Sequence, residues 1–185
     1  MKKVLFLMVC MTVLSVQGMY AQKYMTRTGK VKFDATTPTS PEKIAGVNNE
    51  VASILDATSG NLVFQIFVKS FKFEKELMEE HFNENYMESD KFPKSEFKGI
   101  ISNNSAVNYS KDGSYPATAT GKLTIHGVTK DVTITGTVVV KGNSVTLQAN
   151  FTAKLADYGI NVPSLVADKL AKEAKVNLSC ELEKK

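Results

Sequence analysis

Cysteine and histidine are nearly missing, with two of each in 185 residues. A structural or catalytic metal site needs several such ligands converging at set spacing, and no Cys/His cluster here offers that. Cys10 falls inside an apolar leader, so Cys180 stands alone in the rest of the chain and no internal disulfide is expected. Stability must then come from the core. Also missing are a Gly-x-Ser-x-Gly elbow, a phosphate-binding glycine loop and a His-Glu-x-x-His pair. Nothing announces nucleophilic hydrolysis, nucleotide chemistry or metal-assisted cleavage. Lysines are scattered without interleaved aromatics, which argues against nucleic acid as a partner.

Long apolar runs are equally scarce, and the one present lies at the N-terminus. Lys2 and Lys3 precede a run from Val4 to Val16 that is broken only by Thr12 and Ser15. It stops at Gln17-Gly18, short of the roughly 20 apolar residues a spanning helix needs, and it has the length of a signal-peptide core. The pattern predicts a signal peptide over residues 1–21, cleaved after Ala21, and a periplasmic or secreted protein. Too little apolar sequence precedes Cys10 for it to be a lipid acceptor. Without Lys2 and Lys3 the formal net charge falls from +4 to +2. One domain, residues 22–185, is left, with ample length for a core.

What fills that domain is alternation. Val145, Leu147, Ala149 and Phe151 oppose Thr146, Gln148, Asn150 and Thr152; Val176, Leu178, Cys180 and Leu182 oppose Asn177, Ser179 and Glu181. Val132, Ile134, Gly136, Val138 and Val140 form a third set, and Leu62, Phe64, Ile66 and Val68 a fourth. Strands with one dry and one wet face belong to antiparallel sheets. Short turn clusters at Ser59-Gly60-Asn61, Lys111-Asp112-Gly113-Ser114 and Lys141-Gly142-Asn143-Ser144 join neighbours directly. Strands are expected near 29–35, 43–55, 61–71, 96–103, 115–125, 130–140, 144–155 and 175–184. The fold class is all-β: an antiparallel barrel of about eight strands, closed on itself to remove its edges.

Two segments carry helix signals. Glu74 to Tyr86 places Leu77, Met78, His81 and Phe82 on one face, with Glu74, Glu76, Glu79 and Glu80 near the positive end of the helix dipole and Lys75 four residues before Glu79. Pro163 to about Ala174 places Leu165, Val166 and Leu170 together, with Pro163 suited to a first helical position. One or two short covering helices follow from this.

The strand after Tyr115 carries Ala117, Ala119 and Gly121 in phase with Leu123 and Ile125. Three small side chains in a row cannot fill the middle of an eight-stranded barrel. Either Phe64, Phe97 and Phe151 lean across, or an elongated space remains, since barrels of this size sit between filled and ligand-holding.

Three stretches together resemble the YceI-like family of lipid- or polyisoprenoid-binding periplasmic proteins. The first is Gly121-Lys122-Leu123-Thr124-Ile125-His126-Gly127-Val128-Thr129-Lys130, similar to the family's strand–turn–strand. The second runs from His81-Phe82-Asn83-Glu84 to Lys91-Phe92-Pro93 and on to Phe97; the third is Asp157-Tyr158-Gly159-Ile160. The resemblance implies a lipocalin-like barrel with a helical cover and an apolar tunnel for an isoprenoid quinone, polyisoprenoid or fatty-acid-like lipid. The chain departs from the family at its start, where the opening strands are compressed into roughly Tyr24 to Asp34.

Inward phase and the resemblance together single out Phe33, Phe64, Ile66, His81, Phe82, Phe97, Ala117, Ala119, Leu123, Ile134, Leu147, Phe151 and Leu178 as ligand-facing. No catalytic residue, metal or cofactor is expected; a lipid or isoprenoid small molecule is the expected partner, and a homodimer fits the sequence. His81 reads either as a contact to a ligand's polar head or as a helix histidine satisfied by a neighbouring carboxylate or backbone group. His126, at the turn before Gly127, reads as a residue bonding local backbone, and Cys180 as a small buried hydrophobe. Two other classes stay in view: an envelope stress or interaction protein with a filled barrel and an exposed apolar patch, and an enzyme acting on a lipidic substrate.

Overall fold

Alternating faces commit each strand to one dry side, and a twisted sheet of such strands buries that side by curling until its edges meet. The computed structural model describes residues 22–185, so the expected leader and its cleavage point lie outside the described residues. The strands are β1 (Lys23–Thr36), β2 (Ala45–Asp56), β3 (Asn61–Phe67), β4 (Lys72–Phe73), β5 (Lys94–Ile101), β6 (Gly113–Ile125), β7 (Val128–Lys141), β8 (Ser144–Lys154) and β9 (Leu170–Lys184). Pairing is antiparallel in the order β1-β9-β8-β7-β6-β5-β3-β2, and β1 pairs β2 to close an eight-stranded barrel. The two residues of β4 only bridge to Gly46 and Val47 at the start of β2.

The turns 57–60 and 142–143 and the loop 102–112 fall at one end, called lower here. The connections 37–44, 68–93 and 155–169, together with the turn at His126-Gly127, lie at the upper end. Long connections can cover a barrel mouth; turns of two residues cannot. The upper end is therefore where the sequence concentrates its exceptions to alternation.

Side chains fill the barrel from below. Val140, Val145 and Leu182 form one cross-strand row and are at most 2 % exposed. Above them Val138, Leu147 and Cys180 form the next. Tyr24 and Leu55 complete the floor, and Tyr24 stacks on Tyr109 with ring centroids 6.1 Å apart. The Tyr109 hydroxyl donates to Asn104 Oδ1, whose amide donates to the Ala57 carbonyl, so the lower lid is pinned by hydrogen bonds as well as rings. Burial pushes the Tyr109 hydroxyl and the Cys180 thiol each up to about 12. The sequence reading of Cys180 as a small hydrophobe agrees with that.

Four expectations are corrected. The first strand starts at Lys23, not near 29, and bends through two register shifts around Gly29. β3 stops at Phe67, because the next three residues form a tight turn and the Asn48 amide caps the Phe67 carbonyl. No helix forms over 163–174: a single turn at Ser164–Val166 precedes β9, which begins at Leu170. Leu170 and Ala174 are four apart, an even interval that suits a strand face as well as a helix face, and pairing with β1 and β8 decides it. In the first helix, α1 (Glu76–His81), Leu77 is 61 % exposed, so the face turned to the barrel is the half-buried pair Met78 and Phe82, with His81 exposed at its edge. Lys75 pairs with Glu42 across to the 37–44 loop, while Glu79 takes Lys72.

The bend in β1 depends on Gly29, since a methyl group there would overlap Cys180 Sγ. Gly29→Ala should cost about 1–3 kcal/mol by overpacking. Adding Cys180→Ala should recover part of that loss in urea denaturation, because the thiol is the atom in the way.

Candidate ligand cavity

Above the filled floor the side chains become too small to meet. Ala117, Gly136 and Ala149 form a cross-strand row on β6, β7 and β8, where a row of larger residues would have closed the barrel. Ala119 opposes Ile134 one layer higher. The strand phase of β6 exposes two of these alanines to sequence reasoning, but the row across β7 and β8 needs the register. Gly121 serves a different purpose: a side chain there would strike the backbone of β5, so it allows close strand approach and does not line the space.

The result is a cavity of about 410 Å³ running from the barrel middle to the upper end. Its size falls within the usual range for small-molecule sites. Phe33, Phe64, Ile66, His81, Phe82, Phe97, Ala117, Ala119, Leu123, Ile134, Leu147, Phe151 and Leu178 all lie on its wall, so the structure gathers every residue singled out from phase. Leu62, Ile101 and Val138 mark its depth; Val31 joins the wall in phase with Phe33, and Tyr86, Met87, Tyr158 and Ile160 join it from connections that show no alternation in sequence. Most of these late additions sit in the covering connections, where only contact in three dimensions reveals them.

An aromatic cluster roofs one side. Phe33 of β1 packs on Phe71, Phe73 and Phe82 with centroids 5.2–5.6 Å apart, and Phe82 lies 4.9 Å from Phe73. Such pairs contribute about 0.5–1.5 kcal/mol each beyond their burial. They anchor α1 and the wide turn that follows it, where the Met87 amide donates to the Phe82 carbonyl. A wide turn of this kind rotates Tyr86 and Met87 back toward the barrel instead of continuing the helix outward.

Charged groups stay at the rim. Glu42, His81 and Lys169 reach the mouth, and all three are exposed. His81 has no side-chain hydrogen bond among the described residues, so the expectation of a local carboxylate or backbone partner is not met. Hydroxyls of Thr37, Thr39 and Ser40 donate to the carbonyls of Asp168 and Lys169, tying the 37–44 loop to the 155–169 connection. Among the described residues no group of three or more His, Cys, Asp or Glu side chains is placed to hold a metal ion.

The three stretches that carry the family resemblance converge at the upper end, on the β6–β7 turn. His126 sits at φ 49° in the β6–β7 turn; one ring nitrogen lies 3.1 Å from the Tyr158 carbonyl and the other 2.8 Å from a Glu88 carboxylate oxygen. Phe92 packs edge-on against the imidazole at 4.6 Å, and Gly127 is required because a side chain would enter the Phe92 ring. The turn histidine thus bonds backbone as the sequence suggests, but the backbone is 32 residues away. It clasps both covering connections to the barrel.

A closed antiparallel barrel with a floor, a roofed apolar chamber and a polar rim defines the lipocalin-like class of small-molecule-holding barrels. The family model for the YceI-like domain matches residues 11–182, and the chain belongs to that family. Its fold is shared with a polyisoprenoid binding domain from Saccharophagus degradans implicated in plant cell wall breakdown (TM-score 0.77, 12% identity, 90% of this chain and 100% of that one). It is shared also with Burkholderia cenocepacia BcnA (TM-score 0.67, 18% identity, 83% and 95%) and a Campylobacter jejuni YCEI protein (0.55, 20%, 74% and 81%). No curated protein matches the sequence.

Because His126 bridges a carboxylate and a distant carbonyl, His126→Ala should lower stability by about 1–3 kcal/mol. His81→Ala, at the exposed rim, should stay within about 0.5 kcal/mol. Paired chemical denaturation curves compare the two.

Proposed function

We propose that the protein, exported through its N-terminal leader, holds the apolar chain of an isoprenoid or acyl amphiphile inside the barrel. The observation that carries this is the chamber itself. At about 24 cal/mol per Å³, leaving 410 Å³ unfilled forfeits on the order of 10 kcal/mol of packing. That is comparable to the whole stability of a typical domain. A scaffold barrel would fill the space with larger residues at Ala117, Gly136 and Ala149. A chain of methylene groups entering from above restores the missing contacts without any directional bond.

Support also comes from the family, and from the division between an apolar wall and a charged rim. A tail buried among Phe64, Phe97, Ile134 and Leu147 would leave its head near Glu42, His81 and Lys169. Polar groups that could activate a bond do not converge deep in the chamber, which favours holding over chemistry. No helix of the described residues is long and apolar enough to cross a membrane. A periplasmic or secreted location fits the leader and suits a protein that shields lipids from water.

Ala119→Phe tests the reading. The ring would occupy the chamber at mid-height, so binding of a fluorescent fatty-acid probe should fall at least tenfold while the denaturation midpoint stays nearly unchanged. A filled interior would give the opposite result: no probe binding to lose, and a destabilisation of about 1–3 kcal/mol from overpacking.

A further inference from the structure

Resting on that reading of the chamber, a second property follows from its shape: how much chain it takes. The floor is a built barrier. Val140, Val145 and Leu182 lie side by side across β7, β8 and β9, and Tyr24 and Leu55 fill the remaining section; each is at most 2 % exposed. Two layers up, past Val138, Leu147 and Cys180, the small row Ala117, Gly136 and Ala149 opens the space. The change from floor to chamber occurs within two layers of side chains, so the depth is sharply defined.

Two independent measures give the length. A methylene group occupies roughly the share of liquid volume of one water, about 30 Å³. The 410 Å³ chamber therefore seats about fourteen such groups. Along β6 the wall runs from Ala117 to Ile125, which is about 26 Å of strand at 3.3 Å per residue and about 20 Å along a barrel axis with strands tilted near 40°. One leaflet of a bilayer's hydrocarbon core is about 15 Å deep, so an ordinary membrane acyl chain spans most of the chamber from floor to mouth. At that size one extended tail accounts for the chamber, and a chain of several tens of carbons would have to project from the mouth.

We propose that the barrel is a chain-length ruler for a single-tailed amphiphile of about fourteen to eighteen carbons. Its tail end meets the floor, and its polar end stays among Glu42, His81 and Lys169. Within the family's range of apolar ligands this assigns the short, single-chain class to this chain. It also assigns Ala149 and Ala117 as the residues that set the limit, because a larger side chain at either would raise the floor.

The test is a homologous series of saturated fatty acids from eight to twenty-four carbons, with a forty-carbon polyprenol alongside, titrated by calorimetry into delipidated wild type and Ala149→Leu. In wild type each added carbon should tighten binding about fourfold. The gain should stop near the length given above, and the polyprenol should bind no better than the best acid. In Ala149→Leu, which adds three carbon atoms to the wall, the break should move about three carbons shorter while short acids bind as before. Ala117→Val, on the neighbouring strand, should move it the same way and serves if Ala149→Leu does not fold. Affinity that climbs without a break, a polyprenol that binds tightest, or a break that no variant moves would overturn the ruler and leave lipid holding intact. If no acid and no polyprenol binds wild type, both readings fall.

Discussion

Everything in this molecule depends on barrel closure, the pairing of β1 with β2. An open sheet of eight twisted strands would expose two edges and would have no interior to fill or leave empty. Closure turns alternation into inside and outside. Once it is made, the identity of each inward residue fixes how much space remains at its height. Large residues at the lower end give a dry plug; small ones across β6, β7 and β8 give a chamber. The bend at Gly29 against Cys180 lets β1 reach both neighbours, and for that reason a glycine and a thiol that do not line the chamber matter to it.

The upper end shows a second constraint. Two long connections must cover a mouth without filling it. They are held at a few points: the aromatic cluster around Phe33 and Phe82, the hydroxyl donors of Thr37, Thr39 and Ser40, and the His126 clasp. Each contact is local in space and distant in sequence. Clasps on one side and an exposed, charged rim on the other give the chamber a direction, apolar within and polar at the mouth.

Alternation made most of the barrel legible beforehand. Strand number, antiparallel order and inward faces follow from period two, and the wall residues Phe64, Phe97, Ile134, Leu147 and Phe151 follow from phase. Failures came where period two does not apply. Leu170 and Ala174 fit both periodicities, and only their ladder partners decide between them. Tyr86, Met87 and Tyr158 reach the wall from irregular connections, so no pattern marks them. His126 could be placed at a turn, but its partners Glu88 and Tyr158 lie 38 and 32 residues away. The small row Ala117, Gly136 and Ala149 was half visible, because its alanine on β6 has a phase but its continuation needs a register.

Holding an apolar chain is the central claim, and the protein's own cargo tests it most directly. Material purified from its native envelope without detergent should be weighed intact by native mass spectrometry, then extracted with organic solvent for lipid analysis. The account predicts a mass above that of the chain by one single-tailed amphiphile, released in near one-to-one amount. An intact mass equal to the bare chain, in a protein that also takes up no lipid when offered it, would contradict the account.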